Sequence, residues 1–144
     1  MKSKVALMGL AVLTVVIACS DEETTDGPCR YVEYPGTATI VYIVDDSAGA
    51  SICSNAVIVL FDFLPDDPTA PDRYLYPTYA DTGRQLLVGT GYPPPENWVA
   101  GEGLTAGSEH RCVRSEIISG MCTPVVFTFS DIDYSSWTDS CQTP

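Results

Sequence analysis

From Cys29 onward the chain consists of short segments in which apolar and polar residues alternate, and glycine or proline interrupts every longer stretch. No segment of ten or more residues there keeps a clean apolar period of about 3.6 residues without such an interruption, so long amphipathic helices are not expected. β-Branched and aromatic residues occupy most of the apolar positions, which is typical of strands. This pattern predicts an all-β fold.

The alternation also places the strands. In segment 37–45, Ala38, Ile40, Tyr42 and Val44 share one face. Segment 55–64 is apolar on both faces, which is typical of a central strand. Five further strands are predicted, of which the last three have weaker patterns: 84–89, 125–130, 30–34, 73–79 and 110–118. We expect residues 29–144 to form a single domain, an antiparallel β-sandwich of immunoglobulin-like architecture, with a small closed β-barrel as the alternative.

The N-terminal residues carry a different pattern. Lys2 and Lys4 precede the uninterrupted apolar run 5–17, whose thirteen residues are too few to span a hydrocarbon core of about 30 Å as a helix. A positive start followed by a short apolar run is typical of a secretory signal. Residues 16–19 read Val-Ile-Ala-Cys, and this ending resembles the lipobox of bacterial lipoproteins.

The resemblance implies that residues 1–18 are a signal peptide and that Cys19 carries the lipid, a diacylglycerol thioether with an acylated amino terminus. Two or three acyl chains hold a protein stably on a membrane, whereas one chain binds only marginally. Ser20, rather than aspartate, follows the cysteine, which in this family favours the outer membrane. Residues 19–28 are acidic and predict a solvated, disordered tether. We therefore expect a bacterial cell-envelope protein whose membrane contact is its lipid anchor.

Acidic residues dominate the charge of the chain. Seven lysines and arginines stand against nineteen aspartates and glutamates, which gives a formal net charge of −12 and excludes nucleic acid as a partner. Some of these acids follow predicted strands, where loops can supply the oxygen ligands that Ca²⁺ prefers. The hypothetical calcium ligands are Asp66, Asp67, Asp72, Asp131 and Asp133. The alternative is that they are ordinary turn residues, and no other cofactor is expected.

The cysteines predict disulfides. Export to an oxidising compartment leaves five cysteines besides Cys19 available for pairing, so two bridges and one free thiol are expected. The sequence does not determine the pairing. We favour Cys112 with Cys122, which closes a short loop, and Cys29 with Cys141, which ties the two ends of the domain together.

Enzymatic motifs are absent from the sequence, which contains no GxSxG, HExxH, P-loop or dinucleotide fingerprint, so we predict that the chain is not an enzyme. The lone His110 lies in a polar stretch and reads as a solvated surface residue. Tyr92 and Trp98 are candidate ligand-binding rings, with burial in the core as the alternative. The expected role is binding, adhesion or envelope structure. The alternatives are an inhibitor or accessory subunit that docks on one protein through the loop 89–107, and a carbohydrate-binding module.

Overall fold

The computed structural model describes residues 28–47, 49 and 51–141. The predicted signal peptide, the lipidation residue Cys19 and the tether up to residue 27 lie outside the described residues. Within the described part of the chain, no helix has the length and apolar character needed to cross a membrane.

Five strands form one antiparallel sheet in the order β3-β2-β1-β4-β5. Their bounds are Arg30–Asp45 for β1, Val57–Pro65 for β2, Arg84–Gln85 for β3, Glu109–Ser119 for β4 and Val125–Phe129 for β5. A helix of six residues, α1 (Glu96–Gly101), and two short 3-10 helices at Ala70–Arg73 and Trp137–Ser140 lie outside the sheet. The sheet is curled into a half-barrel.

The predicted β-rich fold is confirmed, but the predicted sandwich is not, because the described residues contain one sheet and not two. The inner face of the sheet is covered instead by α1 and by long connections. The barrel alternative agrees with the structure in part, since the sheet is curled but not closed.

The length and irregularity of β1 explain the curl. This strand has 16 residues and pairs with β4 along its first part and with β2 along its last part. Its register with β2 shifts between Ile40 and Tyr42, and such bulges bend a strand and increase its twist. Gly36 allows a close approach of β2, because a Cβ there would collide with the carbonyl oxygen of Leu64 and the ring of Phe63.

Local patterns predicted most of the strands correctly. The predicted strands 30–34 and 37–45 are joined in β1, and the predicted strand 110–118 lies within β4. The predicted strand 73–79 is wrong. Those residues form the end of a 3-10 helix followed by turns, and Pro77 lacks the N–H that a strand there would need.

Aromatic side chains fill the inner face. Phe61 of β2 packs edge-on against Phe129 of β5, with ring centroids 5.0 Å apart. Trp98 and Val99 of α1 and the following Leu104 are buried in the same core. One edge of the core is thus a helix that the sequence pattern did not predict, because its six residues are too few for a visible helical period.

The disulfides differ from the predicted pairs. The structure joins Cys29 to Cys122, with Cα atoms 6.1 Å apart, and Cys53 to Cys141, with Cα atoms 5.1 Å apart. Cys112 is the free cysteine among the described residues, and it is buried. The predictions of Cys112–Cys122 and Cys29–Cys141 are therefore wrong.

The sheet register explains this pairing. Cys112 lies opposite Gly36 and Phe129 in the ladder, so its side chain belongs to the core. Cys122 lies beyond the end of β4, in the turn that also brings Gly120 against Cys29 at the start of β1. A bridge depends on this long-range placement of strand ends and not on spacing in the sequence.

Candidate functional site

The predicted calcium ligands are held by other side chains. Both carboxylate oxygens of Asp66 accept hydrogen bonds from Arg111, at 3.1 and 2.7 Å. These bonds hold the pKa of Asp66 below its usual value. Asp67 accepts hydrogen bonds from the backbone and side chain of Thr69 and forms an ion pair with Arg73.

Asp131 and Asp133 also have hydrogen-bond partners within the chain. Asp131 accepts the backbone N–H of Arg111, and Asp133 accepts hydrogen bonds from both the backbone and the side chain of Ser135. Among residues 28–47, 49 and 51–141, no group of three or more His, Cys, Asp or Glu side chains is placed to hold a metal ion. The structure therefore does not bring Asp66, Asp67, Asp72, Asp131 and Asp133 together as a calcium site. Asp67 and Asp133 instead make the local hydrogen bonds of turn residues.

The predicted ligand-binding rings lie in a segment that packs inward. Trp98 is only 2% exposed, and its indole N–H donates to the carbonyl oxygen of Asp133 at 3.1 Å, so the prediction of a ligand-binding Trp98 is wrong. Tyr92 is half-buried and its backbone pairs with that of Val88. The buried Pro94 accepts the N–H of Val57 through its carbonyl oxygen. The loop 89–107 is thus a folded cover of the core.

His110 is part of a small hydrogen-bonded group. Its Nε2 lies 2.9 Å from Oγ of Ser108, and its Nδ1 lies 3.3 Å from a carboxylate oxygen of Asp131. Its side chain is 10% exposed, so the prediction of a solvated histidine is wrong. The connectivity matches that of a Ser-His-Asp triad, but Oγ of Ser108 also accepts the N–H of Thr105 and lies in the turn before β4. We interpret these contacts as structural: they hold the turn before β4 against the start of β4 and the end of β5.

Arg114 and Glu116 form a buried ion pair that the sequence did not reveal. Both side chains are fully buried on the inner face of β4, 2.6 Å apart, and Arg114 also pairs with Asp81. The guanidinium of Arg114 lies 3.9 Å from the ring centroid of Tyr74. It also donates to the carbonyl oxygen of Tyr76. The visible signal was two opposite charges two residues apart on one face of a predicted strand.

This ion pair holds a loop in place. Residues 66–83 connect β2 to β3 and contact the inner face of β4, where Oε2 of Glu116 accepts the N–H of Leu75 at 2.6 Å. The buried donors of Arg114 all have acceptors within the described part of the chain. The cluster is therefore a structural element and not an open site.

The free thiol of Cys112 is unreactive by environment, because burial raises its pKa to about 12. We predict that a Cys19→Ser variant, in which Cys112 is the remaining unpaired cysteine, reacts slowly or not at all with a disulfide reagent such as DTNB while it is folded. In denaturant, without reductant, we expect Cys112 to react rapidly. A fast reaction of the folded protein would contradict the buried placement of this thiol.

The two edge strands of the sheet face each other across an open seam. This seam holds a cleft of about 450 Å³. It is lined by the edges of β3 and β5, by the turn that follows β3 and by the ring of Phe61: Phe61, Arg84, Gln85, Leu86, Leu87, Gly89, Thr90, Gly91, Thr123, Val125, Val126 and Phe127. The volume is in the range of protein ligand sites. The closed barrel of the alternative prediction would leave no such opening.

Arg84 is the charged residue of the seam. Its guanidinium carbon lies 5.4 Å from the ring centroid of Phe127 and 5.8 Å from that of Tyr79. Its Nε is buried and has no hydrogen-bond partner among the described residues. A buried donor without an acceptor costs free energy. Arg84 also has no ion-pair partner among the described residues.

Comparisons of the chain with protein-family models, with curated proteins and with solved structures find no match.

The seam also exposes backbone hydrogen-bonding groups. The N–H of Ser130 donates to the carbonyl oxygen of Arg111, and the N–H of Ile117 donates to that of Pro124. Between Pro124 and Ser130, every second residue of β5 therefore bonds to β4. The N–H and C=O groups of Val125 and Phe127 consequently point into the seam. On the opposite edge, the N–H of Leu86 donates to β2, and the backbone groups of Gln85 point away from that strand.

Proposed function

We propose that this chain is a lipoprotein of the bacterial cell envelope, anchored through lipid on Cys19, whose β domain is a binding module that takes its ligand in the seam between β3 and β5. The charged and apolar pattern of residues 1–19 supports the anchor. The two disulfides, Cys29–Cys122 and Cys53–Cys141, support an oxidising compartment outside the cytoplasm. Ser20 favours the outer membrane as the site of anchoring.

The observation that carries the binding role is the combination of an unpartnered Arg84 Nε with two unpaired strand edges around one cleft. Edge strands are natural sites for another chain to pair with the sheet. The residues that line the cleft within the described part of the chain include no His, Cys, Asp or Glu, so this cleft has no general base or acid–base pair. These features favour binding over catalysis.

The two other binding roles have less support. Docking through the loop 89–107 would require a projecting segment, whereas Pro93 to Pro95 and Trp98 are buried. A sugar-binding platform requires an accessible flat ring, and Trp98 is enclosed by the core.

The anchor is tested by localisation. We predict that the wild-type chain, expressed in a Gram-negative host, incorporates labelled palmitate and sediments with the membrane fraction. A Cys19→Ser variant should lose the label and leave that fraction, because the thioether has no sulfur on which to form. A Cys112→Ser variant is the matched control and should keep both properties. Incorporation of labelled palmitate by the Cys19→Ser variant would contradict lipid anchoring at this residue.

A further inference from the structure

We infer that the ligand of the seam is one extended segment of a partner protein, which inserts between β3 and β5 as a sixth strand and presents a carboxylate side chain to Arg84. This inference rests on the proposed function, namely that the seam is the binding site. It adds the class of ligand, its direction and the side chain that is recognised.

Strand direction fixes how the seam can close. β1 and β2 are antiparallel, β2 and β3 are antiparallel, and β1–β4–β5 alternate in the same way. The two edges, β3 and β5, therefore run parallel to each other and both run parallel to β1. A single inserted strand can run antiparallel to both edges at once, so it can pair with both unpaired edges.

The edges supply the hydrogen bonds that such a strand needs. Val125 and Phe127 of β5 direct N–H and C=O groups into the seam, and Gln85 of β3 does so from the other side. The next residue of β5 whose backbone groups point away from β4 is Phe129. Its N–H already donates to the hydroxyl of Tyr134 at 3.1 Å, so pairing with a ligand should stop there. The free edges therefore match a short segment of a few residues and not a long strand.

The charge of the ligand follows from Arg84. Three of the five arginines are committed to carboxylates of this chain, since Arg73 pairs with Asp67, Arg111 with Asp66, and Arg114 with Asp81 and Glu116. Arg84 has no ion pair among the described residues, and its Nε lacks an acceptor. A guanidinium binds a carboxylate through short, charge-assisted hydrogen bonds. One acidic residue in the ligand would fill this position.

The neighbours of Arg84 fix the residues around that acid. Arg84 shares the inner face with Phe61, its register partner, and with Phe127 across the seam. Side chains of a strand alternate between faces, so the residues two before and two after the acid would also face inward, toward apolar rings. We therefore expect a segment with an apolar residue, an acid and an apolar residue at alternate positions. Residues 20–28 of this chain contain acids but no large apolar side chain, so they fit this pattern poorly.

The inference is tested by selecting peptides from a phage-displayed library of random nine-residue sequences on the purified, lipidated protein in detergent micelles. We expect enriched peptides to carry Glu or Asp at one central position, apolar residues two positions to either side, and no proline in the central stretch. Binding of the enriched peptides, made synthetically, should protect the amides of Val125 and Phe127 from hydrogen exchange.

Variants of both edges make the test specific. Arg84→Gln should weaken binding of a selected peptide about tenfold or more, because the peptide carboxylate loses its charged partner. Glu→Gln in the peptide should cost a similar factor against the wild type and much less against Arg84→Gln. Gln85→Pro removes the N–H that points into the seam and should also weaken binding, whereas the matched control Gln85→Ala should not.

Failure of this inference is distinguishable from failure of the proposed function. A photo-reactive residue at Leu87, which lines the seam and is 44% exposed, would report any ligand in living cells. If peptides without the acidic pattern are enriched, or if Gln85→Pro binds normally, the inserted strand is wrong. Cross-links to residues 20–28 of the same or a second copy would also overturn it. If Leu87 captures nothing, the seam is not a binding site and the proposed function is wrong.

Discussion

Replacing Arg114 with methionine is expected to lower the free energy of unfolding by about 3–5 kcal/mol, because it leaves the buried charge of Glu116 without its partner. The carbonyl oxygens of Tyr76 and Tyr79 would lose their donor as well, so the loop 66–83 should detach from the inner face of the sheet. The measurement is urea-induced unfolding at neutral pH, together with the protease sensitivity of that loop.

The matched control is Arg111→Met on the same strand. Arg111 also forms a two-bond ion pair, with Asp66, but more than half of its side chain is exposed to water. Exposed ion pairs contribute little to stability, so the urea midpoint should change only slightly. Equal effects of the two variants would contradict the burial of the Arg114 cluster.

Removal of the bridge between Cys29 and Cys122 is expected to have a similarly large effect. The bridge joins residues 93 positions apart, and for closed loops of this length the loss of chain constraint amounts to about 4 kcal/mol. A variant with alanine at both positions should therefore melt roughly 15 °C below the wild type. Differential scanning calorimetry without reductant measures this change.

Cys112→Ala is the control that separates the two disulfide patterns. Since Cys112 is unpaired in the structure, its replacement removes one buried sulfur and should cost about 1 kcal/mol. If Cys112 were instead bridged to Cys122, this substitution would destabilise the protein as much as loss of a disulfide. Peptide mapping under non-reducing conditions gives an independent answer, since a fragment that joins Cys112 to Cys122 would contradict the structure.

The sequence predicted the local features of the fold and missed the long-range ones. Alternating residues located most of β1, β2, β4 and β5, because a strand with one buried face has a period of two residues. The same pattern is compatible with two flat sheets and with one curled sheet. The difference depends on the bulge between Ile40 and Tyr42 and on the contact of Gly36 with Phe63, which only the folded chain reveals.

The candidate site was harder to predict than the fold. Arg84 stood at the start of a predicted strand, but nothing in the sequence indicates that this strand ends at Gln85 or that it forms an edge of the sheet. Trp98 and Tyr92 were candidate ligand-binding residues because they lie among prolines. The prolines proved to belong to a buried segment, in which Trp98 completes the core. Burial is a property of the whole fold, and composition alone does not report it.

The position of the Cys29–Cys122 bridge has a mechanical consequence if the domain is anchored through Cys19 as proposed. Tension applied through the N-terminal residues would reach the sheet at Cys29, one residue before the central strand β1 begins. Hydrogen bonds between strands can be peeled apart one after another from such an end. Here the disulfide would transmit the force to the turn between β4 and β5 as well. The force would therefore act on β1, β4 and β5 together and would not separate β1 alone.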